Sequence, residues 1–175
     1  MKTIAVDMDG VLADVYRQFL NLHFQDTGEK LSLESIRGLK EAEAFPLLKK
    51  HVNSPGFFES APLIPGAQAT LKKLIPHYKV FIVSAATEFP LSLHEKLRWL
   101  NNHFPFIQWQ QMVFCGSKEI IRTDIMIDDH FKNLDTFSGK TYLFSQPHNE
   151  IASPGKHIRV NSWKEVEMQL LPDKF

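Results

Sequence analysis

Cysteine is nearly absent: Cys115 is the single thiol in 175 residues, which excludes an intrachain disulfide and a zinc–cysteine cluster. Neither sign of charge prevails, since 20 Lys and Arg face 20 Asp and Glu for a formal net charge of zero. That balance leaves no footprint for a nucleic-acid polymer as partner, although a local basic pocket stays open. No window approaches the roughly 18 apolar residues of a membrane span. The amino terminus also lacks a basic segment followed by a long apolar stretch. The expectation is a cytoplasmic protein with no membrane partner. Internal repeats, low-complexity tracts and heptads are missing, and the eight histidines show no H-x-x-x-H spacing. What the chain has in quantity is aromatic: 14 Phe and three Trp, enough to furnish apolar walls as well as a core.

The most informative segment is the first, Thr3-Ile4-Ala5-Val6-Asp7-Met8-Asp9-Gly10. A short apolar run with β-branched residues reads as a strand buried on both faces. It ends on two carboxylates and a glycine, at the strand end where open α/β sheets place their ligands. Adjacent carboxylates repel and are costly to desolvate, so a partner such as a cation is expected. An Asx-type turn capping a helix near Val11 is the plain structural alternative.

Further strands are expected at 79–84, 111–115, 124–129 and 140–144, separated by helices at about 67–75, 92–104 and 163–171. In the helix over 92–104, Leu93, Leu97 and Leu100 form the apolar face. Strand–helix alternation implies right-handed crossovers and a doubly wound parallel sheet of the Rossmann-like α/β class. Between the first strand and Pro62, helices at 14–25, near Ser32–Ser35 and at 42–51 form a small helical cap, inserted after the first strand. The expected division is therefore a core of 1–14 and 63–175 and a cap of 15–62. Residues 147–155 read as a surface loop. Phe104, Phe106 and Trp109 are either core or an exposed apolar surface, and the chain is a monomer or a homodimer.

Polar chemistry stands at four strand ends: Asp7 and Asp9, Ser84, Lys118, and Asp128 with Asp129. Each has an ordinary structural explanation alone, as a cap or a solvated lysine. A parallel sheet brings all its strand carboxyl ends to one edge, so the groups converge. Together they suit a phosphate handled with Mg²⁺, which favours carboxylate, phosphate and water oxygens. Lys118 offers a compact positive charge and Ser84 a hydroxyl.

With those motifs in hand, the chain resembles the haloacid dehalogenase-like phosphohydrolases, and within them the 5′(3′)-deoxyribonucleotidase branch. The resemblance rests on D-M-D-G-V-L-A-D at 7–14, F-F-E-S-A-P-L-I-P-G-A at 57–67, F-I-V-S at 81–84 and I-D-D at 127–129. It implies Asp7 as nucleophile, Asp9 as general acid and base, and Ser84 and Lys118 as holders of the transferring phosphoryl group. It implies Mg²⁺ held by Asp7, Asp128 and the backbone carbonyl of Asp9, with Asp129 in support. Two departures stand out. Ser84-Ala85 replaces the branch's Thr-Ser, and Arg37-Gly38-Leu39-Lys40 replaces its R-G-F-W. Val15, Phe19, Phe57 and Phe58 are candidates for a substrate-facing apolar wall. Arg37 is expected to be a solvated helix-end residue, and His130 is the only histidine expected near the site.

The resulting expectation is a Mg²⁺-dependent phosphomonoesterase acting on a small nucleoside or deoxynucleoside monophosphate through an aspartyl-phosphate. A sugar or glycolate phosphatase of the same superfamily is the near alternative. A receiver-type signalling domain is the distant one, and its phosphoacceptor would stand at the third strand, where this chain has Cys115-Gly116.

Overall fold

Alternation within Ile4-Ala5-Val6 decides how the first strand is buried. Ile4 and Val6 join a core with Leu71, Leu74 and Val166, while Ala5 packs with Met126, Leu134 and Leu143. Side chains two apart share a sheet face, so a strand apolar at every position must be covered on both sides. The computed structural model describes residues 1–171. Pro172, expected beyond the closing helix, and the last four residues of the expected core lie outside the described residues.

Six parallel strands form one sheet in the order β3-β2-β1-β4-β5-β6. They are β1 (Lys2–Val6), β2 (Tyr78–Ser84), β3 (Met112–Phe114), β4 (Ile125–Asp128), β5 (Lys140–Phe144) and β6 (Ile158–Val160). β1 pairs with β2 through Ile4↔Val80 and Val6↔Ile82, and with β4 through Ile4↔Ile125 and Val6↔Ile127. The strand order reverses between β1 and β4, which in this topology opens the ligand crevice outside their carboxyl ends. The expected doubly wound sheet is therefore present, with one more strand than expected. β6 carries no periodic signal in the sequence because Ile158-Arg159-Val160 is only three residues long. It pairs with β5 along Tyr142↔Ile158 and Phe144↔Val160.

The segment between β1 and Pro62 is helical. α1 (Val15–Thr27) starts on Asp14, whose side chain accepts from Arg17 N–H, and stops at Gly28 in the left-handed conformation. The expected single helix over 42–51 is two, α2 (Glu41–Ala44) and α3 (Leu48–Val52). Pro46 divides them: it has no N–H to donate, and the preceding Phe45 is extended (φ −126°, ψ 90°). α4 (Ala67–Leu74) and α7 (Trp163–Leu170) cover the sheet, and α6 (Phe131–Asp135) follows β4.

α5 (Pro90–His103) is where the leucine pattern misleads. Leu97 is 39 % exposed, and the buried residues are Ser92, Glu95, Lys96, Trp99 and Leu100. The buried face includes a carboxylate and an ammonium because both have partners at the site. Phe104 is core, whereas Trp109 is 75 % exposed. Arg37 forms an exposed ion pair with Glu150 at 3.0 Å, in keeping with a solvated residue. The stretch 147–155 is turn-rich, but its Asn149 is fully buried and donates to the carbonyls of Asp129 and Phe144. That side chain fastens the loop under the strand ends.

Candidate active site

The turn after β1 is built by one carbonyl. Met8 O accepts from the N–H groups of Leu12 and Ala13 at 2.8 and 2.9 Å, which folds Asp9 and Gly10 back over the end of the strand. Gly10 has φ +75°, and a Cβ there would lie 2.3 Å from Asp129 Oδ2. Only glycine suits both the conformation and the approach. Asp7 N–H donates to Ile127 O at 2.9 Å, so Asp7 is still registered against β4. Tertiary pairing thus fixes Asp7 beside Asp128.

Lys118 lies between them. Its Nζ is 2.5 Å from Asp7 Oδ1 and 2.6 Å from Asp128 Oδ2, and all three groups are buried. Asn133 Nδ2 donates to both Asp128 oxygens at 3.0 Å, and His130 N–H donates to Oδ1 at 2.9 Å. Asp7, Asp128 and Asp129 bring one carboxylate oxygen each within 4.8 Å of one another. Three carboxylates against one ammonium leave the cluster over-negative. Burial, with the Asp128 charge, pushes the Asp7 carboxyl up to about 8 against the pull of Lys118. Asp129 is likewise driven upward, first by burial and then by Asp128. Lys118 is held above its ordinary value because the Asp128 and Asp7 charges outweigh its burial. Asp129 Oδ1 is buried and has no hydrogen-bond partner among the described residues. An all-oxygen cluster with excess negative charge and an orphaned buried oxygen fits a hard divalent cation such as Mg²⁺.

Asp9 points elsewhere. Its Oδ2 accepts from Lys96 Nζ at 2.6 Å, and the same ammonium donates to Ser84 Oγ at 3.0 Å. Lys96 is 2 % exposed and lies 4.6 Å from the centroid of the Phe58 ring. No sequence motif marked this lysine. Its only signal was a position about two turns into an amphipathic helix, where a lysine normally reads as solvated.

Asp7, Asp9, Ser84, Lys96, Lys118 and Asp129 line one cavity of about 250 Å³ with Val15, Phe19, Phe57 and Phe58. All four expected wall residues thus share the cavity with the strand-end groups. Phe19 packs on Phe57 (4.8 Å between centroids), and Phe57 meets Phe58 edge-on (4.8 Å, 86°). Two helices hold that pair from behind. Glu95 of α5 accepts from Gly56 N–H at 2.6 Å and Phe58 N–H at 3.0 Å, while Gln18 of α1 donates to Phe57 O at 3.2 Å.

On the opposite side of the cavity the structure corrects the expectation of a lone histidine. His148 stacks on His130 (4.4 Å, 17°) and approaches the Asp129 carbonyl through Nε2 at 2.9 Å. Both rings face Glu41 of α2: His148 Nδ1 is 3.3 Å and His130 Nε2 3.5 Å from Oε1. Tyr16 OH donates to the same oxygen at 3.0 Å. Burial opposes the charge on Glu41, but His148, its own backbone N–H and His130 outweigh it and hold the carboxyl below the usual glutamate value. Burial, then the Glu41 charge, pushes the Tyr16 phenol up. Burial, then the neighbouring His130, lowers His148.

Among solved structures, a HAD family hydrolase from Deinococcus radiodurans R1, with bound phosphate and sodium, matches with a TM-score of 0.62 at 18 % identity, covering 97 % of this chain and 95 % of that one. D,D-heptose 1,7-bisphosphate phosphatase from B. bronchiseptica, complexed with magnesium and phosphate, matches with a TM-score of 0.57 at 14 % identity and 98 % coverage of each chain. The fold is therefore that of the haloacid dehalogenase-like hydrolases. At the level of sequence, the 5′(3′)-deoxyribonucleotidase of Bacillus subtilis (strain 168) is 38 % identical over 180 residues, 97 % of this chain and 99 % of that protein. The family described as 5′ nucleotidase, deoxy (pyrimidine), cytosolic type C protein matches residues 1–174, and the chain belongs to it. No helix among the described residues is long and apolar enough to cross a membrane.

Proposed function

We propose that this protein is a Mg²⁺-dependent phosphomonoesterase that hydrolyses deoxyribonucleoside monophosphates through an aspartyl-phosphate on Asp7. The observation that carries the reading is the shared cavity: a buried carboxylate cluster around Lys118, an Asp9–Lys96–Ser84 group beside it, and an aromatic wall opposite. The family and its nucleotidase relatives support the substrate class.

In this reading residues 15–62 are a cap over a core of 1–14 and 63–175, closing the site from bulk water. Asp7, Asp128 and Asp129 would hold Mg²⁺, with the Asp9 carbonyl. When bound, the ion neutralises the cluster and draws charge from the phosphoryl oxygens. Lys118 and Ser84 hold those oxygens. The incoming phosphate also competes for Lys96, releasing Asp9 to carry a proton. An Asp7 carboxylate oxygen attacks phosphorus in line as the bond to the leaving alcohol breaks, and Asp9 gives that alcohol its proton. Asp9 then takes a proton from water, whose oxygen attacks the aspartyl-phosphate phosphorus and frees phosphate and Asp7. Each acid step is matched by a base step, so the enzyme returns unchanged.

The test is phosphate release from a panel of deoxynucleoside 5′- and 3′-monophosphates, ribonucleotides, phosphoglycolate and sugar phosphates. It is run with Mg²⁺ and with EDTA, for the wild type and Asp7→Asn. Release from deoxynucleotides that needs Mg²⁺ and vanishes in Asp7→Asn is the expected result. Turnover confined to phosphoglycolate or sugar phosphates refutes the substrate class and retains the chemistry.

A further inference from the structure

Glu41 is the one acidic side chain that reaches the cavity from the helical segment and is pinned there. Its Oε1 is held by Tyr16 and faced by both histidines, whereas no other residue among the described ones donates to its Oε2. The side chain keeps 24 % of its surface and lines the cavity together with Asp129 and the aromatic wall. The buried lysines of the cavity do not offset it. Lys118 and Lys96 are engaged by Asp7, Asp128 and Asp9. Lys132 and Glu88 are exposed, free to turn into solvent, and opposite in sign.

A leaving group that extends from Asp7 into the cavity shares that space with this fixed carboxylate. We propose that Glu41 is a specificity-determining residue: its open oxygen accepts from a hydroxyl or amine of a neutral leaving group and repels one that carries a second phosphate. The inference rests on the phosphatase reading above and adds a rule to it. Monophosphates of neutral alcohols are substrates, whereas bisphosphates of the same alcohols are rejected. The physical basis is like-charge juxtaposition at a site whose geometry cannot relax, because three neighbours hold the carboxylate in place. Coulomb repulsion between one carboxylate and a doubly charged phosphate a few ångström away amounts to about a tenfold factor even at water-like screening.

The experiment compares deoxythymidine 5′-monophosphate with deoxythymidine 3′,5′-bisphosphate for the wild type, Glu41→Gln and Glu41→Asp. The first readout is kcat/KM for release of the 5′-phosphate. The second is equilibrium binding of both compounds to the Asp7→Asn protein, with and without Glu41→Gln, with folding followed by thermal melting. The expected result is a wild-type preference for the monophosphate that narrows about tenfold in Glu41→Gln, in both readouts, and less in Glu41→Asp. If Glu41 only fastened the cap, both compounds would lose the same factor and the ratio would stay constant. A constant ratio, or equal wild-type use of the two compounds, overturns the proposal. Absence of hydrolysis by the wild type, with the binding ratio still moved by Glu41→Gln, would overturn the phosphatase reading and leave the role of Glu41 standing.

Discussion

Replacing Lys96 by methionine isolates the part of the site that no motif announced. Methionine keeps the unbranched stem and fills most of the buried slot, so the change is chiefly the loss of an ammonium. That ammonium makes two contacts, 2.6 Å to Asp9 and 3.0 Å to Ser84. Deleting one partner of a fully buried ion pair costs about 3–5 kcal/mol. Here the Asp9 side chain keeps 32 % exposure, so water can solvate the charge left behind. The stability loss should fall to about 1–2 kcal/mol. For a chain of this size that corresponds to roughly 2–8 °C in Tm. The effect on catalysis is larger, because in the proposed mechanism the lost donor faces the transferring phosphoryl group. Removal of one such donor typically lowers kcat by about 10²–10³-fold. Phosphate release under saturating Mg²⁺, paired with a melting curve, separates the two effects. Activity within about twofold of the wild type would refute the placement of Lys96 at the phosphoryl site. Lys96→Arg should fare no better than methionine, because a planar guanidinium does not reproduce a compact ammonium that reaches both Asp9 and Ser84 beneath the Phe58 ring.

Two further outcomes follow from the buried carboxylates. The Asp7 carboxyl titrates near 8 in the metal-free protein, above its ordinary value of 3.8, so folding favours its protonated form. Its contribution to stability is complete below the ordinary value and is lost as pH rises through about 8. Tm in EDTA should therefore fall over that window, and Mg²⁺ should flatten the slope. Binding of the ion should release protons near neutral pH, measurable by calorimetry in buffers of different ionisation enthalpy; a Tm in EDTA that rises with pH would contradict the charge balance described. At the other end of the cavity, Glu95→Gln puts an amide N–H₂ against one of two backbone donors. A charge-assisted hydrogen bond is worth about 1.5–3 kcal/mol, so the variant should lose about that much stability. KM should rise more than kcat falls, as the Phe57–Phe58 wall loosens; an unchanged KM would show that Glu95 does not position the wall.

Local signals carried a large share of this molecule. Ile4-Ala5-Val6 and Ile125-Met126-Ile127 are apolar at every position, a pattern only a strand covered on both faces satisfies, and both lie centrally in the sheet. Because parallel strands share one carboxyl edge, Asp7, Ser84, Lys118 and Asp128 could be grouped before any contact was known. Gly10 was legible as a turn, though its obligatory character comes from Asp129, 119 residues away.

The remaining features depend on contacts that no short window contains. Lys96 meets Asp9 across 87 residues and Tyr16 meets His148 across 132. A helical lysine has the same sequence signature whether water or a carboxylate receives its charge. For that reason α5 read as a leucine-faced helix, while its buried face carries Glu95 and Lys96. The segment 147–155 read as an ordinary loop because the tie made by Asn149 lies beneath the strand ends, and Glu41 had no mark at all. The sequence alone determined five of the six strands, the chemistry at their ends and the family. Only the tertiary structure decided which charges are paired, which one is left facing the cavity, and what holds the aromatic wall, because charge pairing depends on distance in space, to which periodicity along the chain is blind.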